Sequence, residues 1–170
     1  TTVVKLLACL LAQQPDCRIA LAAPTGKAAA RMTEALRERA SQLPETLRAK
    51  LPSEPYTVHR LLGGTPGKFL HHAGRRLPLD LLVVDEASML DLALATRLLE
   101  ALPDSARILL LGDKDQLAAV ESGAVFAELS ADPSMSEPCI DDLAAACGIA
   151  AAHIVPPSPL HAGALPDSTV

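Results

Sequence analysis

The stretch Leu81-Leu82-Val83-Val84-Asp85-Glu86-Ala87-Ser88 sets a continuous apolar run directly before two carboxylates. A run of this length with no alternation suits a strand buried on both faces, as in a parallel sheet covered by helices. Two adjacent acids at the tip of such a strand are costly unless a cation compensates them. Hydrated magnesium is the natural partner, because it takes carboxylates and phosphates as ligands. The competing reading is a strand whose exposed acids merely cap the next helix.

Two runs of the same kind lie on either side. Arg18 to Ala22 leads into Pro24-Thr25-Gly26-Lys27, and Arg107 to Leu111 leads into Gly112-Asp113. Helical patterns separate them. Val3, Val4, Leu6, Leu7, Leu10 and Leu11 recur at helical spacing from Thr1 to Gln14, stopping at Pro15-Asp16. Lys27 to Ala40 reads as a helix, Leu43 to Leu51 as a short one after Pro44, and Thr57 to Leu62 as one or two turns. Asp91 to Leu102 reads as a helix with Asp91 placed to cap it, and Ser122 to Leu129 as another. Strands alternating with helices predict an α/β fold with a parallel sheet, whose ligands bind off the carboxyl ends of the strands. The three polar strand ends would then share one functional edge.

The remaining segments carry other signals. Gly63-Gly64-Thr65-Pro66-Gly67 is dense in turn residues, and Phe69 to Pro78 flanks Ala73-Gly74, which predicts a small exposed hairpin over about 64–78. After Ala131 the prolines Pro133, Pro138, Pro156, Pro157, Pro159 and Pro166 interrupt a small-residue sequence. A helix is expected there from about Ile140 to Ala146, and His153 to Val170 reads as a loop or frayed end. The division expected is a domain over 1–130 and a variable, Pro/Ala-rich, partly disordered insertion over 131–170.

Composition narrows the function classes. The chain has 170 residues, 49% of them apolar, enough for a packed core. Aromatics are 2% with no Trp, which excludes an aromatic-rich sheet for gripping RNA bases. The net charge of -5 argues against nucleic-acid binding by overall charge. A local basic track exists nonetheless: Tyr56 to Pro78 contains no Asp or Glu but holds Arg60, Lys68, Arg75 and Arg76, with His59, His71 and His72. Cys9, Cys17, Cys139 and Cys147 form no Cys-x-x-Cys pair, so zinc is not expected; buried or half-buried thiols in a reducing compartment are. The first residue is Thr1, so a natural start is expected upstream. No secretory pattern opens the chain, and the longest apolar stretch near the end, 143–152, is far below the roughly 18 residues of a membrane span. A soluble, cytoplasmic protein without membrane contact is the expectation.

Several residues invite chemical roles. In P-loop NTPases an Asp after a buried strand helps hold magnesium; Asp85 stands in that place, and Glu86 beside it would polarise the attacking water. Gln116, in Gly112-Asp113-Lys114-Asp115-Gln116-Leu117, offers both a donor and an acceptor to a terminal phosphate; the alternative is an ordinary Gly-Asp turn. Pro24-Thr25-Gly26-Lys27 is not a phosphate loop, since that spacing would need Gly where Leu21 stands and Ser or Thr where Ala28 stands. A turn opening a helix still presents backbone N–H groups to an anion. A DNA phosphate fits better than ATP there, and a ligand-free turn stays open as a reading. Thr57-Val58-His59-Arg60 offers hydroxyl, imidazole and guanidinium to a phosphate backbone, although a lone His is more often structural.

Taken in order, these elements resemble the RecD family, the alpha subunits of exodeoxyribonuclease V among the superfamily 1 helicases. The matching pieces are Thr1 to Leu7, Ala22 to Arg31, Thr57 to Gly63, Val83 to Met89 and Gly112 to Val125, together spanning roughly 1–130. The resemblance implies a RecA-like P-loop NTPase domain that moves 5′ to 3′ along single-stranded DNA, using ATP and magnesium, in DNA repair and recombination. It places Asp85 on magnesium, Glu86 on water and Gln116 on the gamma phosphate. Pro24, Thr25, Gly26, Lys27, Thr57, His59 and Arg60 fall along the DNA, and the hairpin takes the place of a strand-separating pin. Thr1 falls at or beside the magnesium-binding Thr of the phosphate loop, whose lysine would lie upstream; the isolated chain is then expected to be inactive. The strand leading into that loop is normally central, so its absence should leave a gap or make other strands close up. The resemblance also implies the other two subunits of an exonuclease V complex as partners. A clamp-loader or signalling ATPase, or a non-catalytic motor remnant, are the competing readings.

Overall fold

The computed structural model describes residues 2–65, 68–113, 125–130 and 135–155. The chain forms two compact units, Thr1–Gly123 and Ala124–Val170.

In the first unit the strands are β1 (Ile19–Ala23), β2 (Tyr56–Thr57), β3 (Leu81–Val84) and β4 (Arg107–Leu110). The helices are α1 (Thr2–Gln13), α2 (Gly26–Ala40), α3 (Glu45–Arg48), α4 (Val58–Leu61) and α5 (Leu92–Ala101). The sheet order is β2-β1-β3-β4, and every pair is parallel. Ile19 faces Leu81 and Leu81 faces Arg107, each register holding for four residues. The strands are contiguous, with no gap between them. This is the RecA-like α/β architecture expected from the alternation of elements.

Burial explains why the apolar runs are continuous. Leu81 and Val83 pack in one cluster with Val4 and Leu7 of α1, Leu21 of β1 and Leu36 of α2. Leu82 and Val84 point to the opposite face by strand alternation, and both are 0% exposed. A strand covered on both faces has no polar positions to spare, and each fully buried Val or Leu contributes about 1.5–3 kcal/mol. β4 differs: Arg107 is exposed and the rest only half-buried, for it pairs with β3 alone among the described residues.

At the amino edge of the sheet, Arg18 and Asp80 join β1 to β3. The Asp80 carboxylate accepts from the Arg18 backbone N at 2.9 Å, Nε at 3.0 Å and Nη2 at 2.7 Å. These bonds hold the Asp80 carboxyl down at about 2, from an ordinary 3.8. The Asp80 carbonyl accepts from the Arg107 amide at 2.9 Å, so three strands start from one anchor.

The second unit contains α6 (Val125–Ser130), α7 (Glu137–Cys147) and a turn of 3₁₀ helix, Ala151–His153. α7 begins three residues before the expected Ile140. The Ser136 hydroxyl caps it by accepting from the Cys139 amide. Pro138, expected to break the chain, stands in the first turn, where a missing N–H costs nothing. Gly148, at φ +66, closes the helix in the left-handed conformation. Two other expectations need correction. Cys9 and Cys147 are exposed rather than buried or half-buried, since both lie on outward positions of amphipathic helices. β2 was not foreseen; two residues are too few to carry a period.

Candidate functional site

Because the strands are parallel, their carboxyl ends share one edge, and that edge collects the expected residues. Asp85 continues the ladder: its amide donates to the Ala22 carbonyl at 2.9 Å. One Asp85 oxygen, Oδ1, accepts from the Glu86 amide at 3.0 Å. Glu86 then takes φ 54, ψ 37, the one non-glycine residue with positive φ among those described. That conformation costs an L-residue about 1–2 kcal/mol. It turns the strand directly into a 3₁₀ turn over Ala87–Met89. The neighbouring strand fixes the turn: the Leu111 amide donates to Val84 O at 2.8 Å, and the Ala87 amide donates to Leu111 O at 2.7 Å. Asp91 follows as the cap of α5, its Oδ1 accepting from the Leu94 amide at 2.7 Å.

Asp85 and Glu86 are half-buried, and neither forms an ion pair among the described residues. Ser88, in the same turn, is 9% exposed, and its Oγ has no hydrogen-bond partner among the described residues. The side chains of Asp85, Glu86 and Ser88 offer oxygen donors alone, a chemistry that fits magnesium better than a thiophilic metal.

The neighbouring strand ends carry the residues expected along DNA. β1 runs through Pro24 into α2, where Thr25 is the cap and its Oγ1 accepts from the Ala28 amide at 3.2 Å. Gly26 and Lys27 are exposed in the first turn, whose amides lack acceptors within the helix. A Cβ on Gly26 would meet nothing within 4 Å, so packing within the chain does not require glycine there. Thr57 repeats the device one strand away: it faces Ala23 in the ladder, and its Oγ1 accepts from the Arg60 amide at 3.2 Å. Both threonine hydroxyls are thus occupied as acceptors, while each keeps its proton to donate.

His59 and Arg60 stand exposed on α4. The Arg60 guanidinium lies over the Tyr56 ring, 5.5 Å from its centroid, and the His59 ring lies 6.0 Å from that of Phe69. The basic stretch folds back on itself twice, with antiparallel bridges Thr65–Lys68 and His72–Arg75. One foot hangs from α4, where Leu62 O accepts the Leu70 and His71 amides at 3.0 Å. The other rests on the end of α5: the Leu77 amide donates to Ala101 O at 2.8 Å, and Arg76 pairs with Asp104.

The fold therefore brings Asp85 and Glu86 to the same edge as Pro24, Thr25, Gly26, Lys27 and Thr57, with His59 and Arg60 on the helix that follows. Thr1 and Gln116 lie outside the described residues, as do Pro66 and Gly67 of the hairpin. Sequence reasoning passed over Ser88, Leu111 and Tyr56. The first two carry no sequence signal; Tyr56 does, standing four residues before Arg60 in the acid-free stretch.

A family model described as "AAA domain" matches residues 1–122. The RecBCD enzyme subunit RecD of Mycobacterium tuberculosis (strain H37Rv) is 52% identical over 136 residues, which is 76% of this chain and 24% of that protein. The subunit of the same name from Haemophilus influenzae is 39% identical over 140 residues, 76% of this chain and 22% of that protein. The ATP-dependent RecD2 DNA helicase of Deinococcus radiodurans is 44% identical over 113 residues, 66% of this chain and 14% of that protein. The chain thus spans about a quarter or less of the length of these relatives. No helix among the described residues is long and apolar enough to cross a membrane. With the family model covering most of its length, the chain belongs to the AAA domain family, and it is similar there to a stretch of RecD proteins.

Proposed function

We propose that this chain supplies the metal-and-water side of an ATP-hydrolysis site, and part of the DNA track, in a RecBCD-type helicase subunit that moves 5′ to 3′ along single-stranded DNA. The observation that carries the reading is the shared edge: Asp85 hydrogen-bonds to β1 one residue before Ala23-Pro24, and Thr57 faces Ala23 from the other side. One sheet edge can then serve two ligands, nucleotide toward β3 and β4 and nucleic acid toward β1 and β2.

Bound ATP with its magnesium supplies the phosphoryl group and the charge that the carboxylates meet. Asp85 would hold magnesium, since the Glu86 amide engages only one of its oxygens. Glu86 accepts the proton of the attacking water. Gln116 would contact the gamma phosphate, and Thr1 would lie at or beside the magnesium-binding Thr of the phosphate loop. Along the DNA, the first amides of α2 take a backbone phosphate with Thr25, Gly26 and Lys27, and Thr57, His59 and Arg60 extend the track. The segment 64–78 acts as the strand-separating pin. The subunit works with the two other subunits of an exonuclease V complex, in the cytoplasm, in double-strand break repair and recombination. Residues 1–130 form the motor segment, and 131–170 a variable insertion.

Unwinding of tailed duplexes by a full-length protein carrying this chain tests the reading. A 5′ tail is expected to support ATP-dependent unwinding and a 3′ tail is not. Deleting 64–77 should reduce unwinding more than movement along a single strand. Equal unwinding from both tails, or none that depends on ATP, would overturn the proposal.

A further inference from the structure

The chain has three aromatic residues, and two of them, Tyr56 and Phe69, sit in the acid-free stretch against side chains of α4. Phe69 is half-buried against His59, and a Cβ on Gly64 would lie 3.2 Å from its ring, so its place is structural. Tyr56 is 37% exposed. It projects from a strand of two residues, and its stacking partner is Arg60, one helical turn further on.

An exposed tyrosine under a guanidinium presents two planar, π-rich or cationic surfaces with little conformational freedom left to lose. Such a pair accepts any nucleobase, since every base has a π-face and stacking on aromatic or guanidinium planes is tolerant of sequence. Its position agrees. Tyr56 faces Ala22 across the ladder, and Ala22 is three residues before the cap of α2. Neighbouring strands are about 4.8 Å apart. The strand that carries Tyr56 is thus the immediate neighbour of the strand that leads into α2. Arg60 is held for this task from two sides, by the ring at its guanidinium and by Thr57 at its amide.

We infer that Tyr56, with Arg60 stacked on it, is a base-stacking site for single-stranded DNA. The inference rests on the DNA track proposed above and adds a contact to the base rather than to the backbone. It makes binding depend on the presence of a base, which phosphate contacts alone do not.

The test compares a fluorescently labelled thymidine oligomer with one whose central positions are abasic, binding each to the full-length protein as wild type, Tyr56→Phe and Tyr56→Leu. Leucine keeps the bulk of the side chain and removes the π-face. Wild type and Tyr56→Phe should prefer the normal strand by roughly five- to 150-fold, and Tyr56→Leu should lose that preference while binding the abasic strand as wild type does. If wild type binds single strands and Tyr56→Leu keeps the full preference, the stacking site is overturned and the DNA track stands. If wild type binds no single strand, both are overturned.

Discussion

The Ala87 amide donates to the Leu111 carbonyl at 2.7 Å, so the turn that carries Asp85 and Glu86 is bonded to the exit of the next strand. Glu86 leaves the extended conformation between Asp85 and the 3₁₀ turn. The turn after Asp85 and Glu86 and the segment before Gly112-Asp113 are thereby bonded to each other. A strained backbone held by bonds on both sides is the usual mark of a site that must keep one geometry.

That strain gives a stability prediction. Glu86→Gly should be more stable than Glu86→Ala by about 1 kcal/mol, because glycine takes φ 54 without the Cβ conflict. Urea unfolding of the two variants measures the difference. Equal stability would mean that the left-handed backbone at this residue carries no strain.

Two glycines should separate packing from binding. At Gly63, φ is +65 and a Cβ would lie 2.7 Å from Leu70 Cβ, so Gly63→Ala should lower the unfolding midpoint by an amount worth at least about 1–2 kcal/mol. At Gly26 there is open space, so Gly26→Ala should leave stability unchanged or slightly raised. Its added methyl should instead weaken single-strand binding. Unfolding curves and a filter-binding titration on both variants check this. A Gly26→Ala protein that binds DNA as wild type does would remove the first turn of α2 from the track.

Acid should weaken the amino-edge anchor. The Asp80 carboxyl is lowered in the folded chain to about 2 from 3.8, first by the Arg18 side-chain hydrogen bonds and then by the Arg18 amide. A depressed carboxyl stabilises the fold above its unfolded value, and that contribution is lost as pH falls from 3.8 through about 2. Asp80→Asn should flatten the dependence of the unfolding midpoint on pH in this window, with a small effect because the pair is solvent-exposed. A wild-type slope persisting in Asp80→Asn would assign the acid sensitivity to other carboxylates.

Much of this was legible in the sequence. β1, β3 and β4 stand out as uninterrupted apolar runs because a strand buried on both faces admits nothing polar. α5 was marked by Asp91 at its cap. Asp85 and Glu86 could be placed at a strand tip because a charge pair interrupts an apolar run there. Part of what stayed hidden depends on contacts distant in sequence. Nothing near Glu86 announces a left-handed backbone, which follows from the bond between Ala87 and Leu111. The early start of α7 was missed because Pro138 reads as a break unless Ser136 is recognised as its cap. Tyr56 stands four residues before Arg60 in the acid-free stretch, but its place beside Ala22 depends on a strand pairing distant in sequence.

The central claim is that Asp85 and Glu86 form the hydrolytic end of an ATP site. Its most direct test is single-strand-stimulated ATP hydrolysis by the full-length protein, wild type against Glu86→Gln, with binding of a fluorescent nucleotide measured in parallel. The amide keeps the size of the side chain and removes the base, so turnover should fall by about 100- to 10,000-fold while nucleotide binding is retained. Wild-type turnover in Glu86→Gln would contradict the account.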